Sequence, residues 1–230
     1  LDGGSMKKKI LLVGPLLTRS GYGEQTRFAL RALKSREDLF EIFIRPITWG
    51  QTSWITDDTP ERRWIDETIE KTIAYVHQGG RFDISIQSTI PNEFSNLATK
   101  NIGYTAGIET TLPSPSWVSK CNEMDGIIVV SNHSKNVLEN ARFEGINEQT
   151  GEKITLESTA KFSAVNYPVK IYENLPDLNL QLDTKFNFLT VAQAGPRKNL
   201  EATIKWFSQE FANEDVGLVI KTNVAKNSTM

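Results

Sequence analysis

The sequence predicts an α/β fold in which a parallel β-sheet has helices on both faces. Short apolar runs suit buried strands, amphipathic helical segments separate them, and the strand–helix–strand order repeats along the chain. Parallel strands are apolar on both faces because the connecting helices cover both sides of the sheet. In such a sheet, ligands bind at the carboxyl edge of the strands.

The first strand is predicted at residues 10–13, an apolar run that follows three lysines and ends at Gly-Pro. A loop with Gly21-Tyr22-Gly23 follows, and apolar residues at helical spacing then predict a helix from Gln25 to about Lys34. Residues 40–47 alternate between apolar and polar side chains, which predicts the second strand.

A second helix is predicted from Pro60 to His77 and ends at two glycines. Its apolar residues are expected on one face: Trp64, Ile65, Ile69, Ile73 and Val76. Further strands are predicted at 82–88, 101–105 and 126–131, and further helices at 114–122 and 132–143. Ser131 is the expected N-cap of the last of these helices.

The chain is expected to contain two domains. Residues 1–5 precede Met6 and are interpreted as a cloning remnant, and residues 6–172 form the N-terminal domain, with a polar loop or hairpin at 145–163. Residues 173–185 are the predicted linker, and 186–230 contain one strand–helix–strand unit. One such unit cannot close a sheet. We therefore expect a truncated second domain, with a docked extension of the first sheet as the alternative.

Composition excludes several classes of function. The 26 basic and 28 acidic residues leave a net charge of -2, which gives no electrostatic case for binding nucleic acid. Cys121 is the only cysteine, so no disulfide can form within the chain, and a reducing, cytoplasmic location is expected. No apolar run approaches the ~18 residues of a membrane-spanning helix.

The glycine loop resembles half of a dinucleotide-binding fingerprint. Gly21 and Gly23 fit the pattern GxGxxG, but Thr26 takes the third glycine position, and Arg45-Pro46 ends the second strand where an acidic residue is needed. No Walker lysine follows, so nicotinamide and ATP are disfavoured. A loop that lets a ligand approach the backbone near a helix N-terminus at Glu24 or Gln25 remains possible, as does a tight turn without a ligand.

Two other segments are candidates for chemistry. Arg197 and Lys198 precede a predicted helix, where they would favour an anionic group or form a solvated turn. Glu109 follows a strand and is therefore expected at the carboxyl edge, where it would bind a hydroxylated substrate or orient a reacting group. The structural alternatives for Glu109 are a helix cap or an ion pair. His77 and His133 match no metal pattern with Cys121, although His133 lies near the carboxyl edge.

Three stretches together resemble the group 1 glycosyltransferases, the family 4 type with the GT-B fold. They are GPLLTRSGYGEQTRFALRAL (14–33), GYTAGIETTLPSPSWVSKCNEMDGIIVVSNHSKNVL (103–138) and FNFLTVAQAGPRKNLEATIKWFSQEF (186–211). The resemblance implies two Rossmann-like domains, of which the first mainly binds the acceptor and the second binds a nucleotide-sugar. It implies sugar transfer to a hydroxyl acceptor, with retention of configuration and no metal or other cofactor.

The resemblance also implies roles for particular residues. They are Glu109, Arg197 and Lys198 as catalytic residues, Gly21, Tyr22 and Gly23 facing the donor phosphates, and Thr105 and His133 on the acceptor side.

The sequence departs from the family at three places. Gln193 stands where many members have an arginine, and the region of Ala106, Gly107 and Glu109 stands where many have a histidine. The carboxylate pair that holds the donor would lie beyond Met230, so we expect the 230-residue chain to lack transferase activity. The alternative is a non-catalytic sugar-binding, nucleotide-binding or interaction module of the same ancestry. Thr26 and Arg45 disfavour a Rossmann oxidoreductase.

Overall fold

The computed structural model describes residues 6–146, 150–169 and 171–224, with the backbone alone for 223 and 224. The predicted cloning remnant at 1–5 and the last six residues of the predicted second domain lie outside these ranges. The described residues fall into two compact units. One takes in the chain up to Trp49 and Ile55–Pro168, and the other takes in Gly50–Trp54 and the chain from Val169.

Strands and helices alternate through most of the chain. The strands are β1 Lys8–Gly14, β2 Phe40–Pro46, β3 Ile84–Ser88, β4 Lys100–Thr105, β5 Gly126–Val129, β6 Arg142–Ile146, β7 Lys153–Glu157, β8 Phe162–Ala164, β9 Phe186–Ala194 and β10 Val216–Val224. The helices are α1 Gly21–Lys34, α2 Pro60–His77, α3 Pro115–Asn122, α4 Asn132–Glu139 and α5 Leu200–Glu210.

The first unit contains a six-stranded, all-parallel sheet in the order β2-β1-β3-β4-β5-β8. Helices flank this sheet, which confirms the predicted Rossmann-like α/β fold. After β2 the chain returns to the other side of β1 to form β3, so the direction of winding reverses between β1 and β3. In open α/β sheets, ligands bind at this reversal, outside the carboxyl ends of the strands.

Side chains of β1 alternate between two apolar cores. Ile10 and Leu12 belong to one buried cluster, and Leu11 and Val13 belong to another. Successive side chains of a strand point to opposite faces, so the two clusters lie on opposite sides of the sheet. The uninterrupted apolar run at 10–13 therefore has the predicted cause, which is burial on both faces.

Helix α2 has the predicted bounds, and its predicted buried face is right in part, because Ile65 is buried and Trp64 and Ile69 pack against the same core. Ile73 and Val76 are 54% and 51% exposed, whereas Thr68 and Thr72 are buried. The reason is that α2 covers the open edge of β2, where the N–H of Ile44 donates to Thr72 Oγ1 at 2.9 Å. A threonine supplies the acceptor that this edge lacks, so polar side chains face inward here.

Two helix boundaries also differ from the prediction. Helix α1 begins at Gly21 instead of Gln25, because Ser20 caps it by accepting the N–H of Gly23 at 2.9 Å. Helix α4 ends at Glu139, short of residue 143, although Ser131 is its N-cap as predicted.

The residues after α4 form a hairpin of β6 and β7, which confirms the hairpin alternative for the polar excursion. Phe143 pairs with Leu156 across these antiparallel strands, so it fits helical spacing only by coincidence. The short strand β8 then joins the main sheet beside β5, a pairing that the sequence pattern did not predict.

The second unit contains the predicted strand–helix–strand. β9 and β10 are parallel neighbours, and Asn199, at φ 46°, caps α5 by accepting the N–H of Ala202. Phe188 contacts Phe207 and Phe211 of the helix at centroid distances of 5.8 Å and 5.3 Å.

Within the described residues of the whole chain, no helix is long and apolar enough to cross a membrane.

Candidate functional site

The first turn of α1 presents unpaired backbone donors at the carboxyl edge of β1. The N–H of Gly23 donates to the side-chain oxygen of Ser20. The N–H of Glu24 donates to the carbonyl oxygen of Ser20 at 3.0 Å. The N–H groups of Gly21 and Tyr22 have no hydrogen-bond partner within the described residues. Free N–H groups at a helix N-terminus attract anions, and phosphate groups in particular.

The two glycines of this turn have different surroundings. A Cβ on Gly23 would lie 2.2 Å from the carbonyl oxygen of Thr18, so the packing of the loop requires glycine there. A Cβ on Gly21 would meet no atom within 4 Å, and Gly21 does not have a positive φ. Neither packing nor backbone conformation requires Gly21 to be a glycine. The space beside Gly21 is open, so its backbone is accessible.

Gly14 and Thr26 together explain the missing third glycine of the fingerprint. That glycine normally allows close packing of the helix on the strand. Here a Cβ on Gly14 would lie 2.5 Å from Thr26 Oγ1, so the glycine is on the strand and the larger residue is on the helix. Close packing of α1 on β1 is therefore kept, although the sequence alone did not single out Gly14.

The loop between β1 and α1 is fixed by the buried side chain of Arg27. Its guanidinium donates to the carbonyl oxygens of Leu16 and Thr18 at 2.6 Å and 3.0 Å, and to Glu24 Oε2 at 2.7 Å. Buried hydrogen bonds of a charged donor are strong. The free N–H groups of the first turn are thus held in place before any ligand binds.

Tyr22 and Thr105, both predicted at the site, bond to each other. The Tyr22 hydroxyl lies 2.9 Å from Thr105 Oγ1 and accepts from the N–H of Ala106 at 3.1 Å. The Tyr22 ring lies against Trp49, with 4.3 Å between ring centroids. Thr105 is fully buried. Tyr22 therefore braces the first turn of α1 against the carboxyl end of β4.

Electrostatics around Tyr22 reveal two nearby carboxylates. Burial raises the pKa of Tyr22, and the charges of Glu93 and Glu109 raise it further. Glu93 also accepts a hydrogen bond from Thr89 Oγ1, just beyond β3. Sequence reasoning missed Glu93 and Thr89, although both follow a strand at the carboxyl edge.

Glu109 is exposed and has no hydrogen bond or ion pair within the described residues. The helix-cap and ion-pair alternatives weighed for Glu109 thus find no partner in this part of the chain. Its carboxylate is available to a ligand at the carboxyl edge.

His133 lies in the first turn of α4, and its side chain is exposed. The neighbouring Ser134 is buried against Gly107, where φ is 80° and a Cβ would lie 2.3 Å from Ser134 Oγ. This contact holds the start of α4 beside the loop that carries Glu109. His133 and Glu109 therefore belong to adjacent segments of the same edge.

Arg197 and Lys198 lie in the second unit. They form a short 3₁₀ turn before α5, both side chains are exposed, and neither forms an ion pair within the described residues. Gln193 is also exposed, near the carboxyl end of β9. The two cations thus flank the N-terminus of a helix, as predicted.

No group of three or more potential metal ligands occurs within the described residues. Cys121 is buried, and burial raises the pKa of its thiol to about 12, which disfavours the thiolate near neutral pH. Comparisons with protein-family models, curated proteins and solved structures find no match to this chain. The class that the structure itself defines is a Rossmann-like α/β protein whose sheet reverses its winding between β1 and β3.

Proposed function

We propose that this chain belongs to a glycosyltransferase that moves a sugar from a nucleotide-sugar to a hydroxyl acceptor. The observation that carries the proposal is the first turn of α1, at the reversal of the sheet. Gly21 has no packing requirement there, and two backbone N–H groups are unpaired. Both features suit the approach of a diphosphate to the backbone.

The chemistry of sugar transfer explains why these groups would be needed. Negative charge develops on the diphosphate as it leaves, and preorganised N–H dipoles and cations stabilise that charge. Gly21 and Tyr22 would supply N–H groups. By the sequence resemblance, Arg197 and Lys198 of the second unit would supply positive charge, and the same resemblance implies no metal ion. Retention of configuration is proposed on the same resemblance.

The acceptor would bind to the side of the first unit that carries Glu109 and His133. The exposed carboxylate of Glu109 can accept a hydrogen bond from a sugar hydroxyl or receive its proton. Thr105 would act through Tyr22, because its buried hydroxyl holds that side chain.

A cytoplasmic location is proposed because Cys121 is the only cysteine in the sequence.

Titration of the ¹⁵N-labelled chain with UDP, GDP and ADP tests the proposal by NMR. We expect at least one of them to shift the amide resonances of Gly21 and Tyr22, with a dissociation constant on the order of 1 mM. Such weak binding raises thermal stability very little, so a thermal-shift assay should show little response. If none of the three moves these two resonances, the proposed phosphate-facing role is wrong.

A further inference from the structure

The segment after β8 returns across the carboxyl edge of the sheet. The N–H of Val165 donates to the carbonyl oxygen of Val129, at the end of β5, at 2.8 Å. Two residues later, the Tyr167 hydroxyl donates to Gln25 Oε1 of α1 at 2.7 Å, across 142 residues of sequence. Two extended residues cover roughly 7 Å, and neighbouring strands are about 4.8 Å apart. The segment and its tyrosine therefore span the ends of β4 and β3.

Gln25 connects this segment to the carboxyl ends of β3 and β4. Its side chain is 1% exposed, and its Nε2 donates to the carbonyl oxygen of Tyr104 at 3.1 Å and to Ser88 Oγ at 3.4 Å. Tyr104 and Ser88 lie at the carboxyl ends of β4 and β3. The only hydrogen bond to Gln25 Oε1 within the described residues comes from Tyr167. A buried acceptor without a partner is unfavourable, so this bond holds the segment closed.

The two partners of this bond differ in their exposure to solvent. The residue is 44% exposed, whereas Gln25 is buried. Its phenol lies close enough to those of Tyr22 and Tyr104 to interact with them electrostatically. Tyr22 belongs to the first turn of α1, and Gln25 follows one turn later. Loss of the Tyr167 hydroxyl would therefore affect Gln25, and through it the adjacent turn of α1 that has the free N–H groups.

We propose that residues 165–168 form a strap across the carboxyl edge, latched by the Tyr167–Gln25 hydrogen bond, and that the latch sets the order of the first turn of α1. Tyr167 is a positioning residue, because it acts on the first turn of α1 through Gln25. The strap rests on the proposed function only for the identity of the ligand that the first turn of α1 would bind.

Amide hydrogen exchange measured by NMR on the ligand-free chain tests the latch. Tyr167→Phe removes the donor, and Tyr104→Phe is the matched control because the Tyr104 hydroxyl has no hydrogen bond within the described residues. In Tyr167→Phe we expect roughly five- to tenfold faster exchange at Val165 and at Gly23 and Glu24. The side-chain amide protons of Gln25 should also exchange faster. Tyr104→Phe should match the wild-type chain at all of these protons.

Two outcomes would overturn the strap. One is equal exchange in both variants. The other is faster exchange at Val165 alone, which would make the segment a local attachment without influence on α1. The exchange experiment contains no nucleotide, so it is independent of the titration with UDP, GDP and ADP. Failure of that titration would remove the proposed function and leave the latch standing.

Discussion

Gly21 and Gly23 stand two residues apart in α1, but their surroundings impose opposite requirements. A Cβ at position 23 would meet backbone oxygen at 2.2 Å, and the loop held by Arg27 cannot easily move away. We expect Gly23→Ala to lower the free energy of unfolding by about 1–3 kcal/mol. Gly21→Ala should leave it unchanged or raise it by up to about 1 kcal/mol, because alanine favours helix. Urea denaturation of both variants gives the comparison, and equal stabilities would show that the loop tolerates a side chain.

Tyrosines at the carboxyl edge make stability sensitive to alkaline pH. Burial raises the pKa of Tyr22 and Tyr104, and raises that of Tyr167 to about 12 from an ordinary value of 10.0. A raised folded-state pKa gives stability that is present below the unfolded pKa and lost as pH rises through the folded value. The free energy of unfolding should therefore fall between about pH 10 and about pH 12.

The cleanest variant for this effect is Tyr104→Phe, whose lost hydroxyl has no hydrogen bond within the described chain. Urea midpoints should match the wild type at about pH 8, and the loss above about pH 10 should be smaller in the variant. Tyr167→Phe should also show a smaller loss, from a lower starting stability because its hydrogen bond is gone. If the stability of all three chains fell equally between about pH 10 and about pH 12, the loss would not come from Tyr104 or Tyr167.

At the scale of elements, one hydroxyl of α2 pairs the open edge of β2, beside the apolar contacts of the same helix. Thr72 Oγ1 accepts from Ile44 N and donates to the carbonyl oxygen of Thr68 at 2.7 Å. Thr72→Val keeps the shape but leaves the Ile44 N–H unpaired, which should cost about 1–3 kcal/mol. Thr72→Ser keeps both bonds and loses one methyl group, at about 0.8 kcal/mol. The serine variant should therefore unfold at higher urea than the valine variant, and the reverse order would show that the edge does not need the hydroxyl.

The sequence predicted the positions of most helices and strands well. It predicted less well which face of an element is buried. α2 has clear signals at both ends, with Pro60 after the Thr59 cap and two glycines after Gln78, so its bounds were correct. Its buried face was partly wrong because threonines satisfy a strand edge, which hydrophobic periodicity cannot show. The start of α1 was placed late because glycines were taken as loop residues, although Ser20 caps a helix that contains them.

At the scale of the whole molecule, the alternation of strands and helices predicted the parallel α/β fold. It did not predict the strand order, the addition of β8 or the return of Tyr167 to Gln25, because these depend on contacts between distant residues. The same limit applies to the candidate site. Gly21, Glu109 and His133 were proposed from their positions after strands. Gln25, Glu93 and Gly14 required the folded structure, since only packing shows what surrounds them.

The central claim is that the first turn of α1 faces the phosphates of a nucleotide-sugar, and Gly21→Ala tests it most directly. The control is Gly126→Ala at the amino end of β5, where a Cβ would make only ordinary contacts, at 3.6 Å and 3.9 Å. The nucleoside diphosphate that shifts the Gly21 and Tyr22 resonances is titrated into the wild type and both variants. We predict that Gly21→Ala weakens binding about tenfold, a loss of about 1.4 kcal/mol, while Gly126→Ala binds as the wild type does. Equal affinity in all three chains would contradict the claim, because the nucleotide would then bind without approaching the backbone at Gly21.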